Sequence, residues 1–294
     1  MYCNALDGLR VGFPWARVLS AAIALPLALA MVLAGGWAFV LLVGGLVFLG
    51  QREYFDLARA KGIAPAAKTT MVVSLVLAVV CYGVGFPGVP PVLADAVFPV
   101  AGTCICFYLL FQPKLASIAD IAASILGLFY GGFLPSFWIR LRGLTGPGLG
   151  WGGWELDRGG LYVLLAFSCI WASDIGSYVF GKWLGRTRLS NISPKKTVEG
   201  AVLGLLSCLV VALTWAHSLH WPLWGLSGAV VGVVVGITSL LGDLTESMMK
   251  RDAGVKDSGQ IIPGHGGILD RADSYVFTAP LVYYLALVAE ALHF

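Results

Sequence analysis

Nine long apolar stretches, at about 16–34, 36–50, 69–87, 92–111, 117–138, 159–182, 200–218, 223–245 and 274–293, leave this chain few ways to fold. A helix needs about 20 mostly apolar residues to cross the hydrocarbon core of a bilayer, and most of these stretches meet that length. The composition agrees, with 58% hydrophobic and 12% charged residues and a mean hydropathy of +0.85, against about 25% charged in soluble domains. The expected fold class is therefore all-α, a polytopic integral membrane protein of about nine transmembrane helices. The second stretch is short, and Gly and Pro interrupt others, so eight or ten spans stay open. No low-complexity segment or internal repeat divides residues 1–294, which read as a single membrane domain.

Charge placement tests the count separately, because Lys and Arg collect in cytoplasmic loops. With the N-terminus inside, nine spans put sixteen of nineteen basic residues on the inner side, and only Arg140, Arg142 and Arg158 fall outside. The C-terminus then faces outward. Basic loops beside anionic lipid account for the net charge of +3, and no basic and aromatic surface suggests a nucleic-acid partner. The first stretch follows Arg10 and Arg17 and resembles a signal peptide, but further spans follow at once, so it reads as a retained helix. Cys3 is terminal; Cys81, Cys104, Cys106, Cys169 and Cys208 are scattered through apolar segments and read as packing residues.

Three polar features stand out against this background. Asp174, in CIWASDIGSYVFGKWLG, lies well inside the sixth stretch, where a carboxylate costs at least about 2.5 kcal/mol. It has to face the protein interior or a watery cavity, pair with a cation such as Lys182 or Arg186, or bind a metal. The loop GRTRLSNISPKKTVEG then places a Ser193-Pro194 turn and two lysines, Lys195 and Lys196, before a helix start at Thr197 with Glu199 nearby. Amides at a helix start together with lysines suit a phosphate, although a plain positive-inside loop explains the lysines equally.

The third feature is the richest: eight of the chain's charged residues fall between Ser247 and Asp273. Upstream, SLLGDLTESMMKR sets Asp243, Ser247 and Lys250 on one helical face, with Glu246 close by. Downstream, IIPGHGGILDRADS puts a glycine turn before Asp270, Arg271 and Asp273, where small residues let a phosphate or metal approach the backbone. Asp243 and Asp270 could meet across the loop. Paired aspartates with few nitrogen or sulfur ligands suit Mg²⁺ or another hard divalent cation bridging to substrate phosphate. His265 alone does not suggest zinc, and it reads equally as a hydrogen-bonded support of the glycine turn. Arg271 could hold phosphate or pair with Asp270 or Asp273.

These residues resemble the C-terminal signature of the phosphatidate cytidylyltransferases, or CDP-diacylglycerol synthases. The match takes in Ser247, Lys250-Arg251, Lys256-Asp257, Pro263, His265-Gly266-Gly267, Asp270-Arg271 and Asp273. Ala272 departs from it, standing where the family usually has a larger apolar residue or Thr. Asp174-x-Gly176-x-Tyr178, Ser193-Pro194-Lys195-Lys196-Thr197, Gly242-Asp243-Leu244 with Glu246-Ser247, and, less specifically, Arg17 and Glu53-Tyr54 are also similar to family segments.

The resemblance implies transfer of a cytidylyl group from CTP to phosphatidate, giving CDP-diacylglycerol and pyrophosphate in phospholipid biosynthesis. A water-soluble polyanion and an anionic lipid then have to meet at a basic, cytoplasmic membrane surface, in a bacterial-type inner membrane. The N-terminal helices 1–5 (1–158) are less specific, and the catalytic part is expected in helices 6–9 with their loops (159–294). The expected mechanism is in-line attack of a phosphatidate oxygen on the α-phosphorus of CTP, without a covalent enzyme intermediate. Asp243 and Asp270 are the first candidates as metal ligands, with Asp174 and Asp273 weaker. Lys195, Lys196, Lys250, Arg251, Lys256 and Arg271 are candidates for holding phosphates, supported by Ser193, Ser247, Gly266 and Gly267. Asp257 or His265 could tune the last phosphatidate proton. Spacing does not show a homodimer, which stays open. The alternatives are a CTP-dependent kinase of an isoprenoid alcohol, and an ion-coupled transporter with a mid-membrane site at Asp174.

Overall fold

The computed structural model describes residues 15–86, 88–90, 92–146, 148–151, 154–261 and 266–291, with the side chains of the first helix described from Ala22 onward. In chain order the helices are α1 (Trp15–Ala34), α2 (Gly36–Ala60), α3 (Ala67–Gly83), α4 (Val92–Leu110), α5 (Ile118–Leu128), α6 (Leu134–Arg142), α7 (Arg158–Leu184), α8 (Val198–Ser218), α9 (Trp224–Asp252), α10 (Leu269–Val276) and α11 (Thr278–Ala291). A π-helical turn at Phe129–Phe133 joins α5 to α6, so Ile118–Arg142 forms one 25-residue segment. Similarly α10 and α11 abut, and Leu269–Ala291 spans 23 residues.

Among the described residues seven helical segments are long and apolar enough to cross a membrane, and the class is an all-α polytopic membrane protein. Among the described residues each of the nine apolar stretches coincides for most of its length with a helical segment, and α1 and α3 supply the two beyond those seven. At 17 residues α3 stands at the lower limit of span length, yet it runs the same course as α2. Its Thr70 and Ser74 lie beside Gln51, whose Nε2 donates to Ser74 Oγ at 2.7 Å. At its far end Tyr82 meets Trp37 edge to face, with ring centroids 4.8 Å apart.

The structure departs from the expected boundaries where charges begin. An apolar window stops at the first charged cluster, whereas a helix stops where its backbone bonds stop. Thus α2 continues past residue 50 to Ala60 and carries Gln51, Glu53 and Tyr54. Likewise α9 continues past 245 to Asp252, making Ser247, Lys250 and Arg251 helical, and Asp270, Arg271 and Asp273 belong to α10. The connection before α7 also holds a small antiparallel hairpin, β1 (Leu149–Trp151) with β2 (Trp154–Leu156), paired Leu149 to Leu156.

Helices α7, α8 and α9 form the tightest bundle. Cys169, Cys208, Ala212 and Val235 are wholly buried there, and Cys208 Sγ donates to the Gly232 carbonyl at 3.2 Å. One end of the molecule gathers Arg140, Arg142 and Arg158, the three basic residues that break the charge asymmetry. Each is neutralised by an acid: Arg140 by Asp95 at 2.6 Å, Arg142 by Asp157 at 2.7 Å and Arg158 by Glu290 at 3.2 Å. Arg142 also donates to Val32 O at 2.9 Å, fixing the end of α1.

Candidate active site

The signature residues assemble where the C-terminal end of α9 meets the start of α10. These helices touch at Gly242, where a Cβ would run into the Asp273 carbonyl. Beyond that contact, one turn of α9 presents Glu246 and the next Lys250. Lys250 Nζ lies 2.5 Å from Asp270 Oδ1 and also pairs with Glu246. Glu246 is wholly buried and Lys250 9% exposed, so this ammonium binds α9 to α10. Lys250, one of the sequence candidates for holding phosphate, is paired here with two carboxylates.

Asp270 organises the glycine turn. Its Oδ2 accepts from Ser258 N at 3.0 Å, Ser258 Oγ at 3.0 Å and Gly267 N at 2.8 Å. Gly266 has φ +82°, and a Cβ there would lie 2.8 Å from Asp270 Oδ2, so glycine meets both a conformational and a steric demand. His265, with Pro263, lies outside the described residues.

A second carboxylate holds the same turn from α2. Glu53, 3% exposed, accepts from Ile268 N at 3.0 Å, Leu269 N at 2.8 Å and Ser258 Oγ at 2.9 Å. The otherwise unpaired amides at the start of α10 are thereby satisfied by an acid more than 200 residues away in the chain. The sequence reading noted Glu53 only as a family-like position. The available signal was an acid immediately after an apolar helix, which cannot name its partner.

The other half of the site lies between α7, α8 and α9. Thr197 caps α8, its hydroxyl accepting from Gly200 N at 3.2 Å, and Glu199 accepts from Arg186 N and Thr187 N, both at 3.1 Å. This folded loop places Lys196 Nζ 2.5 Å from Asp243 Oδ2. Ser247 Oγ reaches the other oxygen at 3.4 Å. Asp174 accepts from Ser239 Oγ of α9 at 3.2 Å and Ser274 Oγ of α10 at 3.5 Å. Its named partners are thus hydroxyls of neighbouring helices and neither Lys182 nor Arg186. Asp273 is buried and lies within electrostatic reach of Asp243, Glu246 and Asp174.

The remaining candidates surround this core. Arg251 donates to Val255 O at 3.0 Å and Ile192 O at 3.4 Å, joining the two loops. Lys195, Lys256 and Asp257 are exposed, and Ser193 is half-buried. Arg271 is exposed and borders a cavity of about 580 Å³ lined almost wholly by apolar side chains from α1, α2, α6, α7 and α10.

The oxygen-only donor set suits a hard divalent cation. Among the described residues, however, no three His, Cys, Asp or Glu side chains are arranged to hold a metal by themselves. Of the two first candidates Asp243 is the more accessible, with a side chain 31% exposed, against 9% for Asp270. Both Asp270 oxygens are occupied, so it could ligate only by exchanging Lys250 or the turn. An ion held here would need ligands beyond these side chains. The arrangement sets carboxylates and lysines for charged phosphates directly beside a space for hydrocarbon.

Comparison with known proteins gives the same direction. A sequence profile described as the cytidylyltransferase family matches residues 15–289. A phosphatidate cytidylyltransferase of Synechocystis sp. is 58% identical over 290 residues, covering 94% of this chain and 97% of that protein. Phosphatidate cytidylyltransferase 4, chloroplastic, of Arabidopsis thaliana is 42% identical, covering 86% of this chain and 68% of the relative. The phosphatidate cytidylyltransferase of Staphylococcus aureus strain COL is 31% identical over 92% of this chain and 98% of its own length. With the profile running through nearly all of its helices, from the first to the last, this chain belongs to the cytidylyltransferase family.

Proposed function

We propose that this protein is a phosphatidate cytidylyltransferase, an enzyme that transfers the cytidylyl group of CTP to phosphatidate and releases pyrophosphate. The observation that carries the reading is the juxtaposition at α10: the Lys196, Asp243, Lys250 and Asp270 cluster stands on one side and an apolar cavity bordered by Arg271 on the other. A phosphate on a hydrocarbon tail needs both environments at once.

Lys195, Lys196, Lys256 and Arg271 are assigned to the phosphates of the two substrates, where fixed cations offset the charge that builds on the departing pyrophosphate. Lys196 would leave Asp243 for a phosphate oxygen when substrate arrives. Arg251 positions the two loops, while Lys250, Glu246, Asp270 and Glu53 set α9, α10 and the Gly266-Gly267 turn relative to one another. Ser193 and Ser247 offer hydroxyl donors at the edges. Phosphatidate is already ionised near neutral pH, so Asp257 and His265 have at most its last proton to take. A divalent cation such as Mg²⁺, when bound, would supply neutralisation of the phosphate oxygens. Asp243 would be its first protein ligand, with Asp273 and Asp174 near by, and Asp270 would join after releasing a present partner.

The site is placed on the cytoplasmic face of a bacterial-type inner membrane, N-terminus in and C-terminus out, on the strength of the basic loops clustered around it. A homodimer is the assembly to test, by its mass in detergent. The deciding experiment supplies purified protein with phosphatidate micelles, Mg²⁺ and CTP labelled at the α- or γ-phosphate. Label from the α-position in the lipid, abolished by EDTA, is expected. Label only from the γ-position would make the protein a lipid kinase, and transport without CTP consumption would make it a carrier.

A further inference from the structure

Ser258 stands in the connection between α9 and α10, two residues past Lys256, and is 7% exposed. Nothing in the sequence singles it out, and a serine beside a glycine ordinarily marks a turn. In the structure its hydroxyl touches two carboxylates at once. Its Oγ lies 2.9 Å from Glu53 Oε2 of α2 and 3.0 Å from Asp270 Oδ2 of α10, while its backbone N donates to the same Asp270 oxygen at 3.0 Å.

A hydroxyl has one proton to give, so Ser258 serves one of these acids at a time. Backbone amides have to hold each oxygen while the proton is turned to the other, and they are in place. Glu53 Oε2 also accepts from Leu269 N at 2.8 Å, and Asp270 Oδ2 from Gly267 N at 2.8 Å. The surrounding backbone is cleared for this bridge. A Cβ on Gly267 would run into Ser258 Oγ and Glu53 Oε2, and one on Gly259 into Glu53 Oε1. Glycine at both positions lets a carboxylate from a distant helix reach the hydroxyl.

Building on the phosphatidate reading above, we propose that Ser258 is a positioning residue of the reaction, whose hydroxyl ties Glu53 and Asp270 to one point. Lys256 and Asp257 directly precede it, and Arg271 directly follows Asp270. The bridge therefore sets the Lys256 end of the connection against the Gly266-Gly267 end and against α10. Ser258 acts through Lys256 and Arg271, the cations assigned to substrate phosphates on either side of it, and through the glycine turn between them.

Full-length Ser258→Ala in detergent micelles keeps the backbone N–H on Asp270 and the amides on both acids, and is expected to fold. Its kcat per folded enzyme should fall about tenfold, as for a lost hydrogen bond to a charged group, with KM for CTP within about twofold of wild type. Ser258→Cys, whose thiol is a weak donor, should lie between the two and supplies the same comparisons if the alanine variant does not fold. Adding either substitution to Glu53→Gln should change kcat by less than about twofold, because the bridge is already broken, whereas independent roles multiply the two losses. An unchanged kcat, with or without a lower unfolding temperature, would make Ser258 merely structural and overturn the assignment. So would multiplied losses in the double variant, or a KM for CTP that rises as far as kcat falls. Wild-type protein that forms no CDP-lipid from phosphatidate would instead remove the functional reading on which the assignment rests.

Discussion

Asp243 and Asp270 carry the same functional group and matching expectations from sequence, but their surroundings separate them. Asp243 is partly open, with Lys196 and Ser247 as its named partners. Asp270 is held by Lys250, Ser258 and Gly267. Asp243→Asn is therefore expected to cut turnover about a hundredfold or more with an unfolding temperature close to wild type. Asp270→Asn should lose turnover and also unfold at lower temperature, because an amide cannot serve Lys250 and three further donors as a carboxylate does. Thermal unfolding in detergent beside the transfer assay separates them, and equal stability of both variants would undo the distinction. Glu53→Gln belongs with Asp270: exchanging a buried acceptor of three bonds for an amide should cost about 1–3 kcal/mol and lower kcat while the protein still binds CTP. Sequence identified the residues of the 247–273 run but not this division of labour. Whether a carboxylate contacts substrate or supports a turn depends on partners such as Ser258 and Glu53, which spacing cannot reveal.

At the scale of elements, the position of α10 decides the site, because Asp270, Arg271 and Asp273 all lie on it. It is held at one end by Glu53 from α2 and along its side by the backbone contact at Gly242. Gly242→Val would push the Asp273 carbonyl away from α9. The expected cost is about 1–3 kcal/mol of stability, together with a fall in kcat larger than the change in KM for CTP. An unchanged kcat would mean that α10 tolerates displacement and that the close approach is incidental. Helices were legible as apolar stretches, and the Thr197 helix start was legible from its cap. The polar extensions of α2 and α9 and the helical start of α10 were not. Their charged residues read as loop until the tertiary partners are present, and the β1–β2 hairpin is too short to leave a period in the sequence.

For the molecule as a whole, orientation is expected from which end carries most of the basic residues. Arg140, Arg142 and Arg158 still count against the asymmetry, three of nineteen, and their pairing with Asp95, Asp157 and Glu290 shows how that end holds them. At the other end Lys195 and Lys256 stand exposed around the signature residues, and this end is expected in the cytoplasm. The two helices outside those seven segments, α1 and α3, make the test sharper. If both cross, or neither does, the number of spans is odd and the two termini lie on opposite sides; one crossing alone would put them together. The end of α1 bound by Arg142 and the edge contact between Tyr82 and Trp37 bring one end of each helix to the start of α2, and both are expected to cross with it. A fluorescent protein that matures only in the cytoplasm should therefore be bright when fused before Met1 and dark after Phe294, and a periplasmic phosphatase reporter should give the reverse. Fluorescence from both fusions would require an even number of crossings and leave α1 or α3 lying outside the hydrocarbon. Inverted signals at both ends would put the lysines outside, away from any cytoplasmic CTP, and the proposed reaction would lose its nucleotide supply.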